Sequence, residues 1–318
     1  MTTSINKVLL ATDFSEWAHE AEDYACALTS SWGAHLTVMT VLEFPPGLNP
    51  EYAVNQQYLT YRMAEASDQL AKFKTRATRR GITVETRMAT GLPSEEINAA
   101  ARAEEPDLIV VGTRGKSGLA HVLLGSTAER VIRMAPCPVL AVHRVKSEAP
   151  VEHPGITLGR ILVPIDFSDC SLDALEFAAM VAKQSKASIE LLHVLEPLSY
   201  GLDFTLSHRE ERDQRRERLT GRLQDLSAAL AAGGITVKSH LRGGLPADSI
   251  LDDARTLPSD LIVMGTHGRR GLSHVMAGSV TEAVLRKTTC PVLTVRSPKF
   301  HVGHRRLVTV PATQSTNP

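Results

Sequence analysis

The sequence predicts an α/β fold made of two tandem, doubly wound parallel five-stranded sheets, Rossmann-like, with helices on both faces. Three observations support this prediction. Short apolar runs alternate with longer stretches of helical periodicity, which is the pattern of a parallel sheet covered on both sides. The whole pattern occurs twice, with an offset of 153 residues. The 318 residues are also enough for two domains at roughly 150 residues each.

Each element of the first copy follows from its local pattern. Apolar runs bounded by turn residues predict strands, and apolar residues three or four positions apart predict helices. Pro93 and Ser94, followed by two glutamates, mark the start of a short helix. In chain order the sequence predicts a strand at 8–10, a helix within 16–31, a strand at 36–42, a long helix over much of 52–80, a strand at 82–88, a short helix from 93, and strands at 108–111 and 139–142.

The repeat sets the domain boundaries. The segment around Asp13 returns around Asp166, and Cys137-Pro-Val-Leu returns at Cys290. A polar stretch with two prolines and a glycine separates the copies, as expected of a linker. The predicted organisation is a first domain at 1–146, a linker at 147–157, a second domain at 158–297 and a flexible C-terminal tail at 298–318.

Composition excludes several classes of function. The 35 basic and 35 acidic residues cancel, which argues against a protein that neutralises nucleic-acid phosphates. No apolar run approaches the roughly 20 residues that span a bilayer, and the first residues lack the pattern of a secretory signal. Four cysteines without a Cys-x-x-Cys pair indicate neither a disulfide framework nor a zinc site. We therefore expect a cytoplasmic protein with no nucleic-acid or membrane partner.

A glycine-rich segment after the fourth strand carries the chemical signal. It has the spacing Gly-x2-Gly-x9-Gly-Ser in both copies. The early glycines allow close backbone approach, so that amide groups can point at an anion. The late Gly-Ser pair opens a helix, whose N-terminus favours negative charge. The residues concerned are Gly112, Gly115, Gly125 and Ser126 in the first copy and Gly265, Gly268, Gly278 and Ser279 in the second.

Other interpretations of this segment are weaker. A Walker A motif would need glycine where the chain has Val110, and the second copy has Arg269-Arg270 in place of Lys-Ser. No Gly-x-Gly-x-x-Gly follows the first strand, which disfavours a dinucleotide site. The remaining alternative is that the glycines only shape a tight loop.

With this spacing and the aspartate after the first strand, each half resembles the universal stress protein domain, in its tandem, ATP-binding form. The resemblance covers residues 5–143 and 158–296 and implies an adenine nucleotide alpha hydrolase-like fold with one adenine-nucleotide site per half. It implies that Asp13 and Asp166 hydrogen-bond the adenosine portion, and that the backbone of Val41 and Val194 contacts the adenine edge. It implies ribose and phosphate contacts from Gly112, Gly115, Gly125, Ser126, Thr127, Gly265, Gly268, Gly278, Ser279 and Val280. Asp13 and Asp166 also have a purely structural alternative, which is to cap the helix that follows.

No arrangement of residues indicates fast catalysis or a protein metal site. The leading hypothesis is an ATP-binding, nucleotide-dependent stress-response module, with Mg²⁺ on the phosphates. The alternative is a slow ATPase or phosphotransferase that uses the same phosphate cradle, with Arg114, His267 and Ser126 or Ser279 as the candidate groups. A third hypothesis is an interaction scaffold with vestigial sites.

The resemblance also implies how the halves assemble. The fifth strand of such domains is a sheet edge used for pairing, and an unpaired edge would be a liability. We therefore expect residues 139–142 to pair with 292–295 within one chain, which leaves room for further dimerisation.

Overall fold

The computed structural model describes residues 4–43, 52–115, 124–143, 156–196, 206–267, 278–288 and 290–296. The first half contains β1 (Lys7–Ala11), α1 (His19–Trp32), β2 (His35–Leu42), α2 (Ala53–Arg79), β3 (Val84–Thr90), α3 (Pro93–Glu104), β4 (Leu108–Gly112), α4 (Ser126–Met134) and β5 (Val139–Val142). The second half repeats this order with β6 (Arg160–Pro164), α5 (Asp169–Ser185), β7 (Ser188–Leu195), α6 (Leu206–Ala232), β8 (Val237–Gly243), α7 (Pro246–Thr256), β9 (Leu261–Gly265), α8 (Ser279–Lys287) and β10 (Val292–Val295). The predicted α/β class is confirmed.

The strands form one ten-stranded sheet in the order β3-β2-β1-β4-β5-β10-β9-β6-β7-β8. Pairing is parallel within each half and antiparallel between β5 and β10. This is the pairing of 139–142 with 292–295 that the resemblance implied. Leu140 lies opposite Leu293 at the centre of this seam, and these two residues occupy equivalent positions of the repeat.

Alternate residues of the strands pack on opposite faces of the sheet. Val8 and Leu10 belong to a hydrophobic cluster that includes residues of α1, α2, α5 and α6, whereas Leu9 belongs to a second cluster with residues of α3, α4, α7 and α8. Each of these two hydrophobic clusters contains residues of both halves. The halves therefore share their core across the seam.

Further contacts join the halves beside the sheet. Trp32 Nε1 donates to Ser185 Oγ at 2.9 Å, again between equivalent positions of the repeat. Gln184 brackets the backbone of Ile5, accepting from its N–H and donating to its carbonyl. Among the described residues, none of the helices combines the length and hydrophobicity that crossing a bilayer requires. The predicted linker lies largely outside the described residues, as does the whole C-terminal tail 298–318.

Candidate functional site

The candidate site of each half lies where the strand order reverses. β1 and β4 are neighbours, but the chain leaves them toward opposite edges of the sheet, so their carboxyl ends border an open crevice. Ligands of open α/β sheets bind in such crevices. The turn after β1 carries Asp13, and the glycine segment follows β4. The fold therefore brings together two motifs that are about 100 residues apart in sequence.

The turn after the first strand has the same unusual backbone in both halves. Phe14 and Phe167 have φ of 55° and 62°, a region that bulky residues rarely occupy. Asp13 Oδ1 accepts from the Ser15 N–H at 3.0 Å, and Asp166 Oδ1 accepts from the Ser168 N–H at 2.9 Å. A strained turn that recurs in both copies suggests a function that requires it.

The capping alternative for these aspartates is wrong. Helix α1 has Ala18 at its N-cap, and no side-chain hydrogen bond caps it. Helix α5 is capped by Ser168, whose hydroxyl accepts from the Ser171 N–H. The aspartates instead stabilise the turn that precedes each helix.

In the first half, Asp13 directly faces the glycine segment. A Cβ atom placed on Gly115 would lie 2.7 Å from Asp13 Oδ2, closer than real contacts allow. Only glycine at this position leaves the carboxylate where it is. Gly268, the equivalent residue of the second half, lies outside the described residues, as do Arg269 and Arg270.

One hydrogen bond closes the base of each glycine loop. The Gly125 N–H donates to the Thr113 carbonyl at 2.7 Å, and the Gly278 N–H donates to the Thr266 carbonyl at 2.6 Å. These bonds hold the N-termini of α4 and α8 beside the ends of β4 and β9.

The N-termini of these two helices suit an anion. The N-cap residues are Gly125 and Gly278, which have no side chain to accept from the first-turn amides. Ser126 and Ser279 follow and are exposed, whereas Thr127 and Val280 are half-buried. A phosphate group is the kind of ligand that such an N-terminus favours.

Two of the predicted phosphate-binding glycines have a packing role. A Cβ on Gly112 would lie 3.4 Å from the carbonyl oxygen of Trp17, and one on Gly265 would lie 2.8–2.9 Å from three atoms of Cys170. Each glycine lets the end of its strand pass close beneath the next helix or the turn before it. The loop-shaping alternative therefore accounts for Gly112 and Gly265 without a ligand.

Val41 and Val194 present their backbones toward the crevice. In a parallel strand the N–H and C=O of one residue point to the same neighbour, and successive residues alternate. Met39 bonds toward β1 and Leu42 toward β3, so Val41 points to the β1 side, beyond the last paired residue of β1. Leu192 and Leu195 place Val194 in the same way.

The two crevices differ at the second residue after the fourth strand of each half, which is Arg114 in the first half and His267 in the second. Arg114 stacks over Trp17, with 5.1 Å between Cζ and the ring centroid. Its counterpart His267 has Nδ1 2.9 Å from Thr266 Oγ1, and partial burial and nearby Arg296 lower its pKa. A neutral imidazole thus replaces a permanent cation. The alternative of slow hydrolysis, for which both residues are candidates, stays a prediction.

A comparison with known proteins decides the family. The model of the universal stress protein family matches residues 4–143 and again residues 157–296. The chain belongs to this family. A universal stress protein of Methanocaldococcus jannaschii is 35% identical over 143 residues, which cover 45% of this chain and 84% of that protein. One of Mycobacterium bovis is 29% identical over 271 residues, which cover 82% of this chain and 85% of the relative.

A solved structure shows the same architecture. The crystal structure of a universal stress protein from Archaeoglobus fulgidus aligns with a TM-score of 0.67 and 23% identity, covering 93% of this chain and 98% of that chain. At this level of identity the likeness establishes the fold alone.

A buried polar network supports the turn of the first universal stress protein half. Thr12 Oγ1 donates to Glu22 Oε1 at 2.8 Å and accepts from the Phe14 N–H at 3.0 Å. Arg76 on α2 reaches the other oxygen of Glu22 at 3.4 Å. The network thus joins α1 and α2 to the backbone next to Asp13.

The second half supports its turn differently. The positions of Thr12, Glu22 and Arg76 are taken by Ile165, Leu175 and Ala229, which are apolar. Phe167 instead contacts the tilted ring of His193, with ring centroids 5.0 Å apart, and Arg222, whose Cζ lies 4.0 Å from the ring centroid. Neither arrangement was predicted from the sequence, although an alignment of the two copies marks each of these positions as different.

We expect the network to make stability depend on pH. Burial raises the pKa of Glu22 above its ordinary value of 4.5, against the lowering by Thr12, His19 and Arg76. Between the pKa of Glu22 in the unfolded chain and its higher pKa in the folded chain, the unfolded chain has lost this proton and the folded chain has kept it. Rising pH therefore favours unfolding in this range. The triple variant Thr12→Ile/Glu22→Leu/Arg76→Ala, which installs the residues of the second half, should lose this dependence. Urea unfolding at a series of pH values measures the difference between the two chains.

Glu22→Gln is the matched control, because it keeps the shape of the network without a titrating group. The free energy of unfolding of the wild type, relative to either variant, should fall as the pH rises above 4.5. Parallel curves for all three chains would show that Glu22 keeps its ordinary pKa in the fold.

Proposed function

We propose that each half binds one adenine nucleotide, ATP with Mg²⁺ on its phosphates, and that the chain is a nucleotide-dependent stress-response module. The observation that carries this proposal is the approach of Asp13 to Gly115. It unites the carboxylate after β1 and the glycine loop after β4 in one crevice, at a distance that excludes any side chain at 115.

The two ends of the crevice suit the two ends of the nucleotide. Backbone N–H and C=O groups at Val41 can pair with the polar edge of a base, because they point to the side of β1 beyond its end. The carboxylate of Asp13 can accept hydrogen bonds from ribose or base, as an ionised carboxylate offers only acceptors. The glycine-capped N-terminus of α4 suits the phosphates.

The metal would arrive with the nucleotide. The described residues contain no group of three acidic, histidine or cysteine side chains that could hold a metal ion. Mg²⁺ is commonly bound through substrate phosphates with one or two protein ligands, and it keeps several waters. Its part would be to neutralise phosphate charge.

We also assign the protein to the cytoplasm. None of the four cysteines forms a disulfide bond; they are Cys26, Cys137, Cys170 and Cys290, all of which lie in the described part of the chain. Burial raises the pKa of the Cys26 thiol to about 11 and that of Cys290 to about 12, so both stay protonated and unreactive at neutral pH.

Calorimetric titration of the nucleotide-stripped chain with Mg·ATP tests the proposal, and two sites per chain are expected. In Gly115→Ala the new Cβ would displace the Asp13 carboxylate. Losing one or two hydrogen bonds, at about 1 kcal/mol each, should weaken the first site roughly tenfold. The second site should keep its intrinsic affinity.

Gly221→Ala is the matched control, because a Cβ there meets nothing within 4 Å. Its two sites should bind as in the wild type, and both variants should unfold cooperatively. No heat of binding with the wild type, or full affinity of both sites in Gly115→Ala, would refute the assignment.

A further inference from the structure

The residue that follows each fifth strand reaches across the seam to a helix of the other half. His143 Nε2 donates to the carbonyl of Leu285 in α8 at 2.6 Å. Arg296 Nη1 donates to the carbonyl of Arg133 in α4 at 2.9 Å. His143 and Arg296 occupy equivalent positions of the repeat, so the two contacts cross the seam in opposite directions.

Both residues are also tied to the glycine loop of their own half. Val142, next to His143, accepts from the Thr113 N–H at 3.0 Å, and Val295, next to Arg296, accepts from the Thr266 N–H at 2.9 Å. Thr113 and Thr266 are the residues whose carbonyls close the two glycine loops.

Together these contacts form a closed ring through both candidate sites. From the N-terminus of α4 the ring runs through Thr113 and His143 to the last turn of α8, and along α8 to its own N-terminus. From there it returns through Thr266 and Arg296 to the last turn of α4. The helix that would bind phosphate in one half is therefore held at its other end by the other half.

The ring is built from rigid parts. Val142 and Val295 are buried in the sheet, and α4 and α8 each bury a face in the shared core. His143 is also buried, and within the described chain its second ring nitrogen, Nδ1, makes no hydrogen bond. The imidazole thus contributes one directional contact, to Leu285.

We propose that this ring couples the two nucleotide sites, so that binding at one tightens binding at the other; the inference rests on the proposed function. A phosphate held at the N-terminus of α4 fixes that helix and, at its far end, the contact to Arg296. Arg296 adjoins Val295, the strand residue that holds Thr266, so the hydrogen-bonded base of the second glycine segment, Thr266 with Gly278, is held in place before the second ligand binds. A second ligand then loses less conformational entropy on binding.

The test is calorimetric titration of the full chain with Mg·ATP, compared with two chains that each retain one site. Asp13→Ala leaves the second site alone, and Asp166→Ala leaves the first. Without coupling, the wild-type isotherm equals the sum of the two single-site isotherms. We expect the second binding step of the wild type to have at least about fivefold higher affinity than that sum requires. A factor of about five is the lower end of common allosteric couplings.

Removing the side-chain donors that cross the seam, His143 and Arg296, should abolish the extra tightness of the second binding step. His143→Met and Arg296→Met each open the ring. In both variants we expect the second binding step to be no tighter than the sum of the single-site isotherms requires, with single-site affinities unchanged. Arg296→Lys keeps a donor and should keep the coupling. Arg286→Met removes the ion pair of Arg286 with Glu129, which joins α8 directly to α4 and involves neither crossing donor, and should keep the coupling too.

The outcomes separate the two proposals. If no chain binds nucleotide, the proposed function fails. If the chain binds two nucleotides but the wild-type isotherm equals the sum, or if both Met variants retain the extra tightness of the second binding step, the coupling is refuted and the function stands.

Discussion

Truncating Leu140 or Leu293 to alanine is expected to lower the free energy of unfolding by about 2–5 kcal/mol each, the usual cost of a buried leucine. Each side chain is 1% exposed, and the two face each other across the seam between β5 and β10. A cavity at this point loosens both halves, because the hydrophobic cluster that contains the two leucines spans both. Urea unfolding of the single and double variants measures the effect.

The double variant distinguishes a seam from two independent cores. Because the leucines are in contact, the loss in the double variant should differ from the sum of the single losses by about 0.5–3 kcal/mol. Leu9→Ala and Leu162→Ala form the matched control pair, equally buried and at equivalent repeat positions. They lie on β1 and β6, five strand spacings or about 24 Å apart, so their losses should add. Additive losses at Leu140 and Leu293 would contradict the pairing.

Gly265→Ala is expected to lower the free energy of unfolding by about 1–3 kcal/mol, the cost of overpacking. The new Cβ would lie 2.8 Å from Cys170 Sγ and 2.9 Å from its carbonyl carbon and oxygen. Two of these three atoms are backbone, so the end of β9 and the start of α5 must move apart. Denaturant unfolding reports the loss directly.

Two further variants make this result specific. Gly221→Ala, in α6, has open space around it and should raise the free energy of unfolding by about 0.5–1 kcal/mol, as alanine for glycine within a helix does. Cys170→Ala removes only the sulfur, so combining it with Gly265→Ala should recover a minor part of the loss. Full recovery would show that the backbone approach is looser than described.

Much of the fold could be predicted because the same pattern of strands and helices occurs twice in the sequence. The unbroken offset indicated that both halves have the same order of strands and helices, and the resemblance implied that the fifth strands pair at an edge that would otherwise be exposed. The resemblance implied that Asp13 and Gly115 belong to one site, and the structure brings them together because β1 and β4 are neighbouring parallel strands. These features depend on patterns that survive in a single sequence.

The remaining features depend on contacts between distant residues. Nothing local marks Phe14 for a positive φ, because glycine or asparagine would be the usual signal. The bond of Glu22 to Thr12 requires knowing how α1 lies on β1. The glycine spacing alone was compatible with two roles, contact with a ligand and close packing of the backbone. Only three-dimensional neighbours could assign Gly115 to the crevice and Gly265 to packing against Cys170.

The pairing of Leu140 with its own repeat equivalent has a consequence for how the halves can change. A two-fold contact between identical positions is the geometry of a homodimer, in which every substitution occurs on both sides at once. Joining the partners in one chain makes their association independent of protein concentration. It also lets each partner mutate alone. The replacement of Arg114 by His267, and of Glu22 by Leu175, is divergence that a symmetric dimer of separate chains is unable to express.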